Sequence, residues 1–262
     1  MCASAGAGAG VRRTMAEAVS VKKFLAESGQ NLRIGDIILS RSPTFLSWAI
    51  RWARGSAFSH AALVFLVAHP DEGFSSSFLV ESVREGVGLA NIRDYIAGRH
   101  PHAEIVVLRL EGEQFTESYF KKVRGLMLDH VKSGYDFGRV MRMGLSALFS
   151  LRLGWFTISK GQKKSMEHAV TMTRRRLHKW VPPQFICSGF IQYGLAKAAE
   201  MQGITANVML KEGLSPDDRD GILAVTPEDV ARSPRLTWRF AIRRGYVYPV
   251  KSYDEALKRI SQ

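Results

Sequence analysis

The feature that most constrains the fold is a nearly continuous apolar run, SHAALVFLV, at residues 59–67. A run of this length without polar alternation is typical of a strand that is covered on both faces. It therefore predicts a sheet with other structure packed on each side. The run begins with a histidine, His60, whose ring would be held in place by packing at the start of the strand.

Further segments extend this pattern into a mixed fold. Strands are predicted at residues 35–39, 78–82, 103–110 and 246–250, and a helix is predicted at residues 114–131. A helix carrying Trp48 and Trp52 is predicted to end at Gly55. Thr226 followed by Pro227 is typical of an N-cap and the first helical position. Strands and helices in this order predict an α+β fold.

The composition is that of a globular protein without a disulfide framework. Of the 262 residues, 46% are hydrophobic and 23% are charged. The two cysteines, Cys2 and Cys187, lie far apart in the chain, which argues against a structural disulfide. His100 and His102 are not followed by a second ligand pair at a zinc spacing, so neither a metal nor a cofactor is expected.

The N-terminus and the domain plan can be read from the same sequence. The first 20 residues are small and low in complexity and lack the basic start and apolar core of a signal peptide. We interpret residues 1–30 as a flexible tail and residues 31–262 as a single domain. The expected location is the cytoplasm, with peripheral membrane contact as an addition.

Positive charge is concentrated in one segment of the chain. The net charge is +13, and residues 139–179 contain ten Lys and Arg residues against one acid, Glu167. Arg139, Arg142, Ser146 and Ser150 recur at helical spacing, which predicts a basic amphipathic insertion at about residues 139–180. The segment is too short and interrupted for a membrane span, but it suits an anionic membrane surface. A solvated basic face is an equal alternative, and nucleic acid is a weaker one because no known binding module accompanies the charge.

A cysteine at the start of an apolar, helix-like run raises the question of nucleophilic catalysis. Cys187 follows two prolines in VPPQFICSGFIQYGLAKAA, and a helix N-terminus favours the thiolate form. A cysteine nucleophile needs a base and a group that orients the base. His60 and Glu81 fit these roles, because each lies in one of two strands that are expected to pair. The alternative is a buried core thiol with a structural histidine.

Several short motifs, taken in order, resemble the YiiX-like branch of the permuted papain-like hydrolases in the NlpC-type peptidase superfamily. They are GDIIL, FSHAALV, VES followed by GV, YDF, FICSGFIQ and VTPEDVARSP, and together they extend over residues 34–236. The resemblance implies a circularly permuted papain-like fold, with a small antiparallel sheet or partial barrel packed against the nucleophile helix. It implies Cys187 as nucleophile, His60 as base and Glu81 as the orienting acid.

The resemblance also bears on substrate binding. It places Tyr135 and Asp136 near the site, and these two residues and Ser188 are the expected substrate-binding residues. The chain departs from the family pattern in the basic insertion, which lies between YDF and the cysteine. It also departs at Gly189, where a larger residue, often acidic, is expected.

These observations lead to competing functional hypotheses. The first is a cysteine hydrolase or acyltransferase that cleaves an amide, ester or thioester through an acyl-enzyme, on peptide or lipid-linked substrates. The second is a non-catalytic module that binds an amine, peptide or lipid. The third is a membrane-surface adaptor that depends on the basic insertion.

Overall fold

The fold is α+β, and the described part of the chain is built on one antiparallel sheet of eight strands. The computed structural model describes residues 18–27, 31–42, 44, 47–48, 51–52, 55–69, 71, 76–83, 86–96, 104–130, 187–205 and 207–261. The strands are Val19–Ser20 (β1), Ile37–Arg41 (β2), His60–Leu66 (β3), Phe78–Val83 (β4), Gly86–Asn91 (β5), Glu104–Leu110 (β6), Leu236–Arg243 (β7) and Tyr246–Pro249 (β8). Their order in the sheet is β1-β8-β7-β6-β2-β3-β4-β5. The strand predictions at β2, β3, β4, β6 and β8 are confirmed to within a few residues.

The helices of the described residues lie against this sheet or at its ends. They are Val21–Ala26 (α1), Ile92–Ile96 (α2), Glu117–Leu128 (α3), Cys187–Met201 (α4), Arg219–Leu223 (α5), Pro227–Ala231 (α6) and Tyr253–Ser261 (α7). The predicted helix at residues 114–131 is confirmed by α3. None of the helices in the described ranges combines the length and apolarity needed to cross a membrane.

Strand β3 is covered on both faces, as its apolar run predicts. Ala61 and Leu63 belong to one hydrophobic cluster, and Ala62 and Val64 belong to a second cluster on the opposite face of the sheet. All four side chains are fully buried. Because successive side chains of a strand point to opposite faces, a strand in this position must be apolar throughout.

Helix α4 lies on the first of these two faces and packs against α3 and β3. Its buried residues include Phe190, Ile191 and Leu195, which join the cluster that contains Leu63. Burying a side chain of this size contributes roughly 1.5–3 kcal/mol. This packing places Cys187, the first residue of α4, at the end of the sheet where β3 begins.

The N-cap predicted at Thr226 is confirmed. The Thr226 side chain accepts a hydrogen bond from the Asp229 N–H, and the Asp229 carboxylate accepts from the Thr226 N–H, which forms a reciprocal capping box. Pro227 occupies the first helical turn of α6. The sequence VTPED therefore encodes a firmly fixed helix start.

The interpretation of residues 1–30 as a flexible tail requires correction at its C-terminal end. Residues 19–20 form β1, which pairs with β8, and residues 21–26 form α1. Phe24 is 2% exposed and its ring packs edge-on against Phe240, with centroids 5.1 Å apart. Residues 19–26 therefore belong to the ordered domain, because β1 pairs with the sheet and the buried Phe24 ring fixes α1 to it.

Candidate active site

His60 and Glu81 are brought together by the pairing of β3 and β4. Glu81 lies directly opposite Ala62, so it is diagonal to His60 on the same face of the sheet. The His60 Nε2 and Glu81 Oε2 atoms are 2.7 Å apart. Their side chains are 14% and 12% exposed, so the contact is shielded from most of the solvent.

Cys187 approaches the other side of the imidazole from the first turn of α4. Its side chain forms a hydrogen bond with His60, and its sulfur accepts the backbone N–H groups of Ala61 and Ser188. Because Nε2 faces Glu81, Nδ1 is the ring nitrogen that remains for the thiol. Cys187 is a free cysteine and is 3% exposed.

The electrostatics of this group favour an ion pair between sulfur and imidazole. Burial alone lowers the pKa of His60, but the negative charge and hydrogen bond of Cys187, followed by those of Glu81, outweigh it. Together they raise the pKa of His60 from 6.5 to about 10. Burial alone raises the pKa of Cys187, but the His60 charge and hydrogen bond, with the two N–H groups, lower it below its ordinary 9.0. Both shifts favour a thiolate beside an imidazolium over the neutral pair.

Tyr95 is a member of this site that the sequence analysis missed. Its hydroxyl donates a hydrogen bond to Oε2 of Glu81, the same oxygen that faces His60. The Tyr95 ring is 2% exposed and stacks near the imidazole, with centroids 6.4 Å apart. Tyr95 lies in the short helix α2, and nothing in its local sequence indicates that it reaches a residue 14 positions away.

The loop that leads into His60 is anchored by α6. The Glu228 carboxylate accepts the backbone N–H of Ala57 at 3.0 Å and also accepts the Tyr253 hydroxyl at 2.8 Å. Next to His60, the Ser59 hydroxyl lies 2.7 Å from that of Ser47. The VTPEDV motif therefore supports the approach to His60, although its residues lie far from His60 in sequence.

The structure does not support Ser188 as a substrate-binding side chain. Ser188 is fully buried, and its hydroxyl donates to the backbone carbonyl of Val225 at 2.6 Å. That hydroxyl joins α4 to the segment between α5 and α6. At the sulfur, Ser188 acts only through its backbone N–H.

Gly189, the other departure noted in the sequence, has a steric explanation. A Cβ atom at this position would lie 2.3 Å from the backbone oxygen of Leu223, at the end of α5. No side chain larger than hydrogen fits without moving one of the two helices. A glycine here lets α5 approach the first turn of α4 directly beside Cys187.

Other expectations fall partly or wholly outside the described residues. Tyr135, Asp136 and the basic insertion at about residues 139–180 lie outside them. Within the described residues, no group of three His, Cys, Asp or Glu side chains could hold a metal ion. The side chains that the structure brings together are Cys187, His60, Glu81 and Tyr95.

Comparison with known proteins adds little to this geometry. No protein-family model matches the chain, and no curated protein sequence matches it. Among solved structures, the chain is similar to the metalloprotein YiiX from Escherichia coli O157:H7, described as DUF1105. The two are 19% identical, the match covers 79% of this chain and 96% of the other, and the TM-score is 0.46.

Proposed function

We propose that this protein is a cysteine hydrolase or acyltransferase with a circularly permuted papain-like arrangement of its active site. The observation that carries the proposal is the continuous contact of thiol, imidazole and carboxylate through Cys187, His60 and Glu81. These three groups have the chemical types and the order of contacts that a cysteine nucleophile needs. In chain order the base precedes the nucleophile, in keeping with the permuted family that the motifs resemble.

The first half of the reaction forms an acyl-enzyme. The Cys187 thiolate attacks the carbonyl carbon of an amide, ester or thioester, a C–S bond forms, and the carbonyl π electrons move to oxygen. The N–H groups at the start of α4, which have no intrahelical acceptor, can stabilise that oxyanion. When the tetrahedral intermediate collapses, the bond to the leaving group breaks and His60 gives the leaving group its proton.

The second half of the reaction releases the acyl group. Water, or another nucleophilic acceptor, attacks the thioester carbon while His60 takes its proton. The C–S bond then breaks and the thiolate is restored beside a protonated imidazole. Glu81 accepts a hydrogen bond from Nε2 throughout, so that Nδ1 stays directed at sulfur, and Tyr95 holds the carboxylate in place.

The test uses the reactivity of the two cysteines in the same chain. Iodoacetamide at neutral pH should alkylate Cys187 faster in the native protein than in the urea-unfolded protein. In the His60→Ala variant this difference in rate should disappear. Cys2 is an internal reference thiol, because peptide mass spectrometry resolves the two sites. Hydrolysis of p-nitrophenyl esters and of thioesters should disappear in Cys187→Ser. Equal alkylation of native and unfolded Cys187, with no hydrolysis, would refute the proposal.

A non-catalytic binding module is the second candidate, and one observation favours it. The Cys187 side chain is only 3% exposed, so a substrate carbonyl has little open approach to the sulfur. In this case iodoacetamide should leave Cys187 largely unmodified, and Cys187→Ser should keep all ligand binding. Slow alkylation with no turnover would therefore select this alternative.

Contact with an anionic membrane surface is proposed as an addition to the catalytic function. Trp48 and Trp52 are each 51% exposed, and their rings stack with centroids 6.2 Å apart. Exposed tryptophans favour the headgroup region of a bilayer, and the net charge of +13 favours anionic lipid. Co-sedimentation with phosphatidylserine vesicles should weaken in the Trp48→Ala, Trp52→Ala double variant and at high salt. Vesicle binding that is unchanged by the double substitution and by high salt would refute the proposed membrane contact.

A further inference from the structure

One end of the sheet carries more positive charge than its carboxylate can balance. Arg41, Glu104 and Arg243 lie directly opposite one another on the adjacent strands β2, β6 and β7. The Glu104 carboxylate accepts a hydrogen bond from Arg41 and lies 3.3 Å from Nε of Arg243. A single carboxylate therefore serves two guanidinium groups, and the row retains a net positive charge.

A cavity of about 220 Å³ opens beside this row, and its lining is strongly basic. It is formed by Arg243, Arg244, Tyr248 and Arg259. Arg243 is 12% exposed, and its Nη1 atom is buried without a hydrogen-bond partner among the described residues. The Arg243 guanidinium is therefore only partly satisfied by Glu104, and its charge adds to that of the other arginines around the cavity.

Arg244 occupies a strained backbone position at the rim of the cavity. It has a φ of 47°, and Gly245, the other residue of the two-residue turn between β7 and β8, has a φ of 82°. Such turns favour Asn or Gly at both central positions, because β-carbon sterics disfavour positive φ. Strain of this kind concentrates at functional sites, and here it directs an additional arginine to the cavity.

Arg259 supplies the third guanidinium from the last turn of α7. It lies over the ring of Tyr248, with its Cζ 5.2 Å from the ring centroid. Among the described residues, neither Arg244 nor Arg259 forms an ion pair with a carboxylate. The stacking orients the guanidinium while leaving its N–H groups available for a ligand.

We propose that this cavity binds a phosphate group. Planar guanidinium forks match the oxygens of phosphate, and three of them from β7, the β7–β8 turn and α7 surround one space. The inference goes beyond the proposed catalytic function and does not depend on the chemistry of Cys187. The site lies at the same end of the sheet as His60, because Ser40, the neighbour of Arg41, pairs with His60. Three strand spacings separate β3 from β7, which is about 14 Å.

The test compares two variants that differ in where one positive charge is removed. Arg259→Gln removes a guanidinium from the cavity, whereas Lys258→Gln removes the same charge from an exposed position in the same helix. Inorganic phosphate is titrated by calorimetry at constant chloride. We expect Arg259→Gln to weaken binding at least about tenfold and Lys258→Gln to leave it nearly unchanged.

A second variant keeps the result independent of folding defects. Arg244→Asn removes another guanidinium but places a residue that tolerates positive φ, so the free protein should unfold at an equal or higher temperature while binding phosphate more weakly. The proposal would be overturned if Arg259→Gln and Lys258→Gln bound phosphate equally well in both its free and its lipid-borne form, or if Arg244→Asn bound both forms as tightly as the wild type.

The source of the phosphate group is separated by a vesicle measurement with the same variants. Vesicles of equal parts phosphatidylcholine and phosphatidic acid present the group on a lipid, whereas inorganic phosphate presents it free. Selective loss of vesicle binding in Arg259→Gln relative to Lys258→Gln assigns the site to a lipid headgroup. Selective loss with inorganic phosphate alone assigns it to a soluble phosphate. If Arg259→Gln shows no selective loss of binding in either assay, the proposed site is wrong.

Discussion

Tyr95 and His60 contact the same oxygen atom, Oε2 of Glu81, from two different elements of the fold. The first lies in α2 and the second at the start of β3. Glu81 itself is held by the pairing of β4 with β3 and β5. The carboxylate that orients the imidazole is therefore fixed both by its own strand and by a buried phenol.

The pH dependence of thiol reactivity should report the ion pair directly. Because His60 lowers the pKa of Cys187 below 9.0, alkylation of Cys187 should stay fast well below that pH in the native protein. In His60→Ala the thiol should require a pH close to or above 9.0 to react. Stopped-flow iodoacetamide kinetics across pH would measure both profiles. Two superimposable profiles would show that the imidazole does not influence the sulfur.

Tyr95→Phe should weaken the site while keeping the ring in place. Loss of the hydrogen bond to Glu81 should cost about 1 kcal/mol and slow Cys187 alkylation at neutral pH about fivefold, because the imidazole is less well oriented. Tyr119→Phe is a matched control, since the Tyr119 hydroxyl is also buried and donates to the Leu195 carbonyl at 2.8 Å. Tyr119→Phe should lower the free energy of unfolding by a similar amount and leave the rate and pH profile of Cys187 alkylation unchanged. A purely structural role for Tyr95 predicts the same behaviour in both variants.

Gly189→Ala should destabilise the protein by overpacking. The added methyl group would lie 2.3 Å from the Leu223 oxygen, so α4 and α5 must separate, at a cost of about 1–3 kcal/mol. Gly125→Ala is the opposite case, because Gly125 is exposed in α3 and a Cβ there meets nothing within 4 Å. That variant should gain about 0.5–1 kcal/mol from the better helix propensity of alanine. Urea unfolding would compare the two, and a loss at Gly125 as large as that at Gly189 would contradict the steric argument.

The contribution of the Cys187 and His60 pair to the free energy of unfolding should be constant over one range of pH and should fall on either side of it. The His60 pKa is raised, so its contribution is complete below 6.5 and is lost as the pH rises through about 10. The Cys187 pKa is lowered, so its contribution is complete above 9.0 and is lost as the pH falls through the lowered value. Where the pH lies above both 6.5 and the lowered pKa of Cys187 but below 9.0, the two slopes cancel, because the folded ion pair and the unfolded neutral pair bind the same number of protons.

Unfolding free energies of the wild type and Cys187→Ala, measured across this range, would test the plateau. Their difference should be flat within that window and decrease toward both acid and alkaline conditions. A difference that rises steadily with pH would mean that the thiol ionises without a charged imidazole beside it.

The sequence predicted those parts of the fold that depend on local apolar pattern. The run in β3 and the capping box at Thr226 are both defined by residues within a few positions of one another. Strand β7 was missed because Arg239 and Arg243 interrupt its pattern, and β5 was missed because its glycines resemble a loop. Phe24 lies in a segment whose preceding residues are low in complexity, and only its packing partner on β7 makes it part of the core.

For the candidate site, the residues named from the sequence are those with a recognisable chemical role. Cys187, His60 and Glu81 could be selected because nucleophile, base and orienting acid are different residue types on predicted elements. Tyr95 could not be selected, because its role depends on where α2 lies after β5, which no local pattern specifies. Ser188 was expected to bind substrate, whereas its hydroxyl is directed to the backbone carbonyl of Val225.

The diagonal placement of His60 and Glu81 has a consequence for which changes in chain length this fold can tolerate. Adding or deleting residues in the connection between β3 and β4 leaves the pairing of Ala62 with Glu81 intact. Deleting a single residue within β4 ahead of Glu81 would turn the carboxylate to the opposite side of the sheet, away from the imidazole. Natural length variants of this chain should therefore cluster in that connection and be absent from the few positions that precede Glu81.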